Sequence, residues 1–156
     1  MNIRRANEND IPAVLRLLSQ VLEIHAAIRP DIFISGSTKY TAGELAELFR
    51  DDSSPVYVAE TDGAVVGYAF CVLREPPFRN TMKPRKTLFI NDLCVDESRR
   101  GGHIGETIFR FVLDEARRLG CDDVTLNVWA GNDAAIGFYE KMGMRPRETM
   151  MELEIR

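Results

Sequence analysis

A strand-like run that passes through a glycine bend into a helix constrains this fold more than any other feature. The run "TLFINDLCV" (87–95) has dense β-branched and apolar content. "DESRRGGHIGETIF" follows it, with paired arginines, paired glycines and then apolar residues at helical spacing. Another strand-like run, "DVTLNVW", comes after the helix stops at Gly120. Strand, bend, helix and strand in this order predict a βαβ unit.

The preceding half of the chain predicts two helices and three strands. "NIRRA" is a short strand candidate, and residues 11–22 carry apolar residues at helical spacing after Asn9 or Asp10 as the N-cap. A shorter helix runs from about residue 42 to residue 50. "PVYVAE" and "VVGYAFCVL" flank Asp62-Gly63, the strongest hairpin signal in the chain, so these runs predict an antiparallel pair.

The last part of the chain predicts one helix and one strand. Asn132 is a suitable N-cap and Gly143 a suitable helix stop, and we expect a final strand at about Thr149 to Ile155. The resulting order, β-α-α-β-β-β-α-β-α-β, predicts a mixed sheet in an α/β (α+β) layer architecture. No repeat or linker divides the 156 residues, so we expect a single domain.

Composition argues against several classes of function. The net charge of −4 offers no basic field for a phosphate backbone, so we expect no nucleic-acid partner. The apolar runs are short and broken by charges, and "MNIRRANEND" has no secretory apolar core, so we expect a cytoplasmic protein without a membrane partner. The three cysteines form no CxxC pair, and we interpret them as reduced core residues, with no metal site.

The glycine bend has the properties of an anion site. A helix N-terminus carries free N–H groups and a partial positive charge, and Arg99 and Arg100 add cationic donors at the same place. A solvated turn is the alternative interpretation. The P-loop pattern GxxxxGK[ST] and a GxGxxG after an N-terminal strand are both absent, which argues against nucleotide-binding enzymes of those classes.

"NDLCVDESRRGGHIG" and "NVWAGNDAAIGFYEKMGM" resemble the GNAT superfamily of N-acetyltransferases. The resemblance implies one N-acetyltransferase domain over residues 1–156, with a mixed, mostly antiparallel central sheet of six to seven strands flanked by about four helices. It implies transfer of an acetyl group from acetyl-coenzyme A (acetyl-CoA), the cosubstrate, to a primary amine by direct attack in a ternary complex. Motif-level similarity is confined to residues 88–144.

The resemblance also implies which residues hold the coenzyme. In the family, a strand ending in L-x-V precedes an R/Q-x-x-G-x-G/A loop that wraps the pyrophosphate. His103 stands where the family has the first motif glycine. Its side chain could donate to the phosphate or point to solvent, and we expect it to point to solvent. The implied coenzyme-binding residues are Leu93, Cys94, Val95, Arg100, Gly101, Gly102, His103, Ile104, Gly105, Asn132 and Tyr139.

Two residues are candidates for the chemistry. The resemblance implies that Tyr139 is the general acid beside the thioester sulfur, whereas the alternative is a tyrosine that only packs against Ala135. Some family members place a glutamate base on the strand where this chain has Asn91, which cannot accept a proton. Asp92 is the candidate base, with a structural carboxylate as the alternative, and water relayed to Glu60 or His25 is the fallback.

The sequence says least about the acceptor and the partners. His25 and Phe33 enter the loop that lines the acceptor site in this family, and they are candidate substrate contacts; a capping histidine and a core phenylalanine are the alternatives. The acceptor is a small-molecule amine or a protein N-terminal or lysine amine. A non-catalytic acyl-CoA binding module is the competing function, and family members often form homodimers.

Overall fold

One five-stranded sheet and four helices make up the fold. The computed structural model describes residues 1–156. The elements, in chain order, are β1 (Asn2–Arg5), α1 (Ile11–Ile28), α2 (Ala42–Phe49), β2 (Val56–Thr61), β3 (Ala64–Arg74), β4 (Thr87–Val95), α3 (Ile104–Arg118), β5 (Asp123–Leu126) and α4 (Asp133–Lys141), with short 3₁₀ turns at Glu8–Asp10 and Glu97–Arg99. The strand order is β1-β2-β3-β4-β5, antiparallel throughout except for the parallel pair β4–β5.

The sheet has five strands, so the expectation of six to seven was wrong. The segment expected to form the last strand, Thr149 to Ile155, forms no strand, and "DVTLNVW" is a strand only as far as Leu126. Backbone hydrogen bonds to a neighbour define a strand, and residues 145–156 make none. An alternation of apolar and polar side chains predicts which residues share a face of a strand, but it does not show that a neighbouring strand is available to pair with.

The other elements agree with the expected order, and the central hairpin is a clear case. Asp62 and Gly63 have φ values of 53° and 74°, as a two-residue turn of the favoured hand requires. The turn connects β2 to β3, which pair from Val56↔Phe70 to Thr61↔Ala64. The hairpin predicted from Asp62-Gly63 is therefore confirmed.

The two faces of the sheet bury separate cores. Val56 and Val58 face α1 and α2, where they pack with Leu17, whereas Tyr57 and Ala59 face α3. This alternation is the period of two expected of a strand covered on both sides. Cys71 and Cys94 are buried, Cys121 is partly buried, and all three thiols are free.

A β-bulge in β4 changes which of its residues face each core. Phe70 on β3 pairs with Asp92, but its neighbour Cys71 pairs with Ile90, so Asn91 is an extra residue in β4. Ile90 packs on the α3 side, and Cys94 packs on the α1 side. Asn91 is exposed at the bulge.

Helix α1 and the 3₁₀ turn before it form one long apolar segment. By length and composition alone, residues Glu8–Ile28 could also cross a membrane. In this fold the helix buries Val14, Leu17 and Leu18 against the sheet. A core helix passes the same test of length and hydropathy.

Gly67 on β3 is a position where the fold tolerates no side chain. A Cβ there would lie 2.7 Å from the carbonyl oxygen of Cys94 and 2.7 Å from Cδ1 of Ile108. We predict that Gly67→Ala lowers the free energy of unfolding by about 2–3 kcal/mol, because the β4 backbone must move. Urea denaturation measures the change.

Gly43→Ala is the matched control, since a Cβ at this exposed position in α2 meets only the Thr41 hydroxyl, at 4.0 Å. Alanine there should raise stability by up to about 1 kcal/mol. A Gly67→Ala variant as stable as the wild type would contradict the close packing of β3 against β4 and α3.

Candidate active site

The parallel pairing of β4 with β5 is short, and its end creates a cleft. The two strands pair from Thr87↔Asp123 to Ile90↔Leu126, while β4 continues beside β3 as far as Val95. Residues 91–95 therefore have a strand on one side only. Backbone groups directed to the other side are available to an extended ligand, which can add to β4 as another strand would.

The loop after β4 is tied to helix α1. Asp96 is buried, accepts a hydrogen bond of 3.0 Å from the backbone N–H of Ser98 and forms an ion pair with Arg16. The Arg16 guanidinium, followed by these N–H bonds, holds the pKa of Asp96 well below its usual range. Gln20 accepts a bond of 3.0 Å from the N–H of Glu97. Helix α1 thus fixes the start of the loop.

The loop enters α3 through residues in the left-handed backbone conformation. Gly101 and His103 have φ values of 87° and 59°, and His103 is the N-cap of α3 without a side-chain capping bond. The first amides of a helix have no partner within it. Because a Cβ on Gly105 would lie 3.5 Å from Phe138 and Val95, α3 begins close against α4 and β4. The loop therefore presents free N–H groups at the end of the cleft.

The His103 imidazole projects away from this backbone. Its side chain is 76% exposed, and Nδ1 lies 3.4 Å from Oε2 of Glu106 in the first turn of α3. Arg100 is also exposed, with Nε 3.4 Å from the carbonyl oxygen of Val95. The main chain, rather than the imidazole, lines the mouth of the helix.

Asp92 lies at the centre of a polar group on the α1 side of β4. The Tyr68 hydroxyl donates a hydrogen bond of 2.9 Å to Oδ2 of Asp92. Burial raises the pKa of Asp92, although Lys39, Tyr68 and His25 partly offset this effect. Burial also lowers the pKa of His25, with the charge of Asp92 opposing it. The carboxyl is held in place and is more basic than an exposed aspartate.

Tyr139 reaches the same region from α4. Its ring lies 6.1 Å from that of Phe109 and 5.2 Å from that of Phe138. Burial raises the pKa of Tyr139, and the negative charges of Asp92 and Cys94 add to the effect. The phenol is therefore protonated at neutral pH and lies within electrostatic range of Asp92.

Aromatic contacts connect the end of α1 to the chain beyond β5. The rings of His25 and Phe33 are 5.2 Å apart, and Phe33 meets Trp129 edge-on at 5.3 Å. The Arg29 guanidinium lies 5.9 Å from the centre of the Trp129 ring. The two predicted acceptor contacts, His25 and Phe33, therefore lie in one aromatic wall together with Trp129.

The predicted site residues fall at the two sides of the cleft and at its end. Asn132 is the N-cap of α4, where its side-chain oxygen accepts a bond of 3.3 Å from the N–H of Ala135. The others lie at the end of β4 (Asp92, Leu93, Cys94 and Val95), in the loop (Arg100, Gly101, Gly102 and His103), at the start of α3 (Ile104 and Gly105) and in α4 (Tyr139).

Glu60, one of the two fallback bases, lies apart from this group. It is ion-paired with Arg4 at 2.8 Å. Along β2 it is four residues from Val56, which lies in the row of Phe70 and Asp92, a separation of about 13 Å at about 3.3 Å per residue. His25 remains beside Asp92. No three His, Cys, Asp or Glu side chains are placed together to hold a metal ion.

Several residues of the site were missed by the sequence analysis. Arg16 and Gln20 act on a loop some 80 residues away in the chain, and Tyr68 lies within the predicted strand "VVGYAFCVL", where no local pattern marks it. Only the pairing of β3 with β4 brings Tyr68 to Asp92. Trp129, the single tryptophan, ends the run "DVTLNVW" and could have been recognised from the sequence as a candidate site residue.

Comparison with known proteins agrees with this geometry. Residues 18–144 match the Acetyltransferase (GNAT) family. The chain is 26% identical to a glucosamine 6-phosphate N-acetyltransferase of Trypanosoma brucei brucei, over 99% of this chain and 96% of that protein. It is 25% identical to an L-methionine sulfoximine/L-methionine sulfone acetyltransferase of Salmonella typhimurium, over 100% and 86% of the two chains.

Solved structures share the architecture. A crystal structure of a mutant BH1408 protein from Bacillus halodurans is 36% identical, with a TM-score of 0.94 over 100% of both chains. An aminoglycoside N-acetyltransferase in complex with CoA superposes with a TM-score of 0.72 over 99% of both chains at 16% identity. The second likeness shows the fold alone.

The environment of Asp92 predicts a dependence of stability on pH. A carboxyl whose pKa is higher in the folded than in the unfolded state stabilises the fold below its unfolded value of about 3.9. That contribution is lost as the pH rises through the folded pKa. We predict that Asp92→Asn gains stability relative to wild type between pH 4 and pH 7, as measured by urea denaturation at both values.

Asp52→Asn is the control, because this side chain is 95% exposed and the change removes the same charge. Its stability relative to wild type should change little over the same interval. If Asp92→Asn instead lost stability relative to wild type as the pH rose, the carboxylate would be net stabilised in the fold.

Proposed function

Because the chain belongs to the Acetyltransferase (GNAT) family and is an acetyl-CoA-dependent N-acetyltransferase, we propose that it acetylates a small-molecule primary amine by direct attack in a ternary complex. The observation that carries the proposal is the cleft where β4 parts from β5. A helix mouth suited to phosphate lies at one end of this cleft. Asp92 and Tyr139 lie on its two sides.

The coenzyme fits the unpaired side of β4. The loop of residues 100–105 would hold the pyrophosphate with main-chain N–H groups, and Arg100 would add a positive charge. The pantetheine arm would run along residues 93–95 as an added strand, which brings the thioester toward Tyr139. Asn132, at the start of α4, is the remaining proposed coenzyme contact.

Asp92 is the proposed general base. An amine with a pKa near 10.4 is almost wholly protonated at neutral pH, and only the neutral form attacks a carbonyl. Asp92 takes the proton, directly or through a water molecule, and its raised pKa brings it closer to the working pH than an exposed carboxylate. The hydrogen bond from Tyr68 keeps the carboxyl oriented during the transfer.

The amine nitrogen then bonds to the thioester carbon, and the tetrahedral intermediate needs donors for its oxyanion. Backbone N–H groups among Leu93, Cys94 and Val95 are the proposed donors. The intermediate collapses as the carbon–sulfur bond breaks, the sulfur takes a proton from Tyr139, and the remaining excess proton on the nitrogen passes to the Tyr139 phenolate to leave the neutral amide. Since the charge of Asp92 raises the pKa of Tyr139, protonation of Asp92 makes the phenol a stronger acid just before it is needed.

The aromatic wall is the proposed acceptor side. His25, Phe33 and Trp129 would contact the body of the amine while Asp92 meets its nitrogen. Two relatives matched over most of their length are named for small acceptors, glucosamine 6-phosphate and L-methionine sulfoximine or L-methionine sulfone. These names and the compact wall favour a small molecule over a protein amine as the acceptor of this chain.

Tyr139→Phe tests the mechanism. A panel of amino sugars, amino acids, polyamines and aminoglycosides is first screened for release of the CoA thiol, and the fastest acceptor is used to assay the variant. The change keeps the ring and removes the transferable proton. We predict that kcat falls by about ten- to a hundredfold while the Kd for acetyl-CoA is unchanged. Thiol release and calorimetric titration measure the two quantities.

Tyr57→Phe is the matched control, because that hydroxyl donates to Oε2 of Glu115 at 3.1 Å between β2 and α3, outside the cleft. Its kcat should remain that of the wild type. Wild-type kcat in Tyr139→Phe would remove this phenol from the mechanism, and peptide substrates turning over faster than every small amine would overturn the proposed acceptor class.

His103→Gly tests whether the backbone rather than the imidazole holds the pyrophosphate. His103 has a left-handed backbone, which costs residues other than glycine about 1–2 kcal/mol, so glycine removes this cost. Glycine also increases the conformational entropy of the unfolded chain, which partly offsets the gain in stability. We predict a net gain in stability of up to about 1 kcal/mol and a change of less than about tenfold in CoA affinity. Urea denaturation and calorimetric titration measure the two effects.

Gly101→Ala is the opposite control, since it places a side chain at φ 87°. It should lower stability by about 1 kcal/mol or more. A hundredfold loss of CoA affinity in His103→Gly would show that the imidazole binds phosphate directly.

A further inference from the structure

The loop between α1 and α2, residues 29–41, contains two cations whose surroundings differ. Arg29 is paired with two carboxylates, those of Asp31 and Glu152, at 2.6 Å each. Lys39 is exposed and takes part in no ion pair, and its Nζ lies 5.6 Å from the centre of the Tyr40 ring. The positive charge of Lys39 is therefore not compensated by a carboxylate of the chain.

Aromatic rings connect Lys39 to the Asp92 carboxyl. The Tyr40 ring is stacked on Phe70, with 5.9 Å between the ring centres and 8° between the planes. Phe70 pairs with Asp92 across β3 and β4, and directly opposed residues of an antiparallel pair share a face of the sheet. Phe70 also meets Tyr68, the donor to Asp92, at 4.8 Å. The loop thus brings Lys39 to the row of side chains that holds the proposed base.

The charge of Lys39 acts on both titratable groups of the acceptor side. Burial raises the pKa of Asp92, and the positive charge of Lys39 opposes this effect. Burial lowers the pKa of His25; the charge of Asp92 opposes that change and the charge of Lys39 adds to it. The ammonium therefore lies within electrostatic range of the base and of the aromatic wall.

The other carboxylates near this loop already have partners. Glu23 accepts hydrogen bonds of 2.6 and 2.8 Å from the loop itself. Glu44 accepts a bond of 3.3 Å from the N–H of Thr41 at the start of α2, where the helix dipole favours a negative charge. Asp92 accepts its bond from a tyrosine. Lys39 is left as a cation available to a ligand in the cleft.

A free cation beside the base distinguishes acceptors by their charge. The ammonium form of a simple amine is repelled by Lys39, and a polyamine brings further positive charges to the same place. A carboxylate or phosphate on the acceptor is attracted instead, and it can accept charge-assisted hydrogen bonds from the lysine. Lys39 thus favours an acceptor whose own anion accompanies its amine.

We propose that Lys39 selects acceptors that carry an anionic group, a carboxylate or a phosphate, in addition to the primary amine. This inference rests on the proposed function and narrows its acceptor class. The amine lies at Asp92, the body of the acceptor lies against the aromatic wall of His25, Phe33 and Trp129, and the anion lies at Lys39. Lys39 determines specificity by binding the acceptor and takes no part in the proton transfers.

Pairs of acceptors that differ in the anion test the inference. L-amino acids are compared with their amides, and glucosamine 6-phosphate with glucosamine, by release of the CoA thiol. We expect the best acceptor of the wild type to carry the anion, and its neutral partner to have a KM about tenfold higher. The pair that shows this difference identifies the bound group as a carboxylate or a phosphate.

Lys39→Gln should raise the KM of the preferred anionic acceptor about tenfold, while its kcat and the KM of the neutral partner stay within about twofold of wild type. Because every variant is assayed on the same pairs, differences in amine basicity cancel. Lys39→Arg keeps the charge and should keep the preference. Since Lys39 is exposed, both variants should retain the circular dichroism spectrum of the wild type.

Arg117→Gln is the matched control. It removes one positive charge from α3, on the other face of the sheet, where the side chain is 72% exposed. This variant should retain the preference for the anionic acceptor.

Three outcomes would contradict the inference. A wild type that acetylates small amines without distinguishing an anionic acceptor from its neutral partner would overturn it and leave the proposed function standing. If Lys39→Gln changes kcat equally for both members of a pair, Lys39 acts on Asp92 rather than on the acceptor, and the inference is wrong. Acetylation of peptides alone would overturn the proposed function and this inference with it.

Discussion

The early end of the pairing between β4 and β5 opens the cleft in which we propose that the chemistry of this protein takes place. Two parallel strands that stayed together would satisfy each other's backbone groups and leave no room between them. Here they part after Ile90 and Leu126, so β4 runs on with one side open. The helix mouth at Gly101 to Gly105, the carboxyl of Asp92 and the phenol of Tyr139 all border the resulting space. The rest of the fold, two cores and four helices, holds the strands in this divergent arrangement.

The polar group at Asp92 has a cost in folding free energy. A carboxyl that burial makes more basic is unfavourable for folding near neutral pH. Tyr68 offsets part of this cost with a hydrogen bond, and Lys39 and His25 contribute charge. Groups of this kind are concentrated where acid–base chemistry occurs. By contrast, Arg16 lowers the pKa of Asp96, which suits a structural carboxylate, whereas the raised pKa of Asp92 suits the base that we propose.

Local signals in the sequence predicted the elements well but predicted the partners of those elements poorly. Asp62-Gly63, Asn132, Gly120 and Gly143 act through neighbouring residues, so the hairpin and the helix ends could be located directly. Two interactions of the site join residues far apart in the chain, and no local pattern encodes them. They are the hydrogen bond from Tyr68 to Asp92 and the ion pair between Arg16 and Asp96. The last strand shows the same limit in reverse. The alternation of residues 149–155 is that of a strand, yet the prediction was wrong, because these residues make no backbone hydrogen bond to a neighbouring strand.

The extra residue at Asn91 has a consequence for how this strand tolerates insertions and deletions. Residues before it, such as Ile90, obey one inside–outside alternation, and residues after it obey the opposite one. Removing Asn91 would restore a regular ladder without turning over any neighbour, whereas an upstream deletion that absorbed the bulge would turn over only the residues between the two points. In either case Asp92 and Cys94 keep their partners on β3, so a one-residue change in length upstream leaves the α1 side of the end of β4 undisturbed.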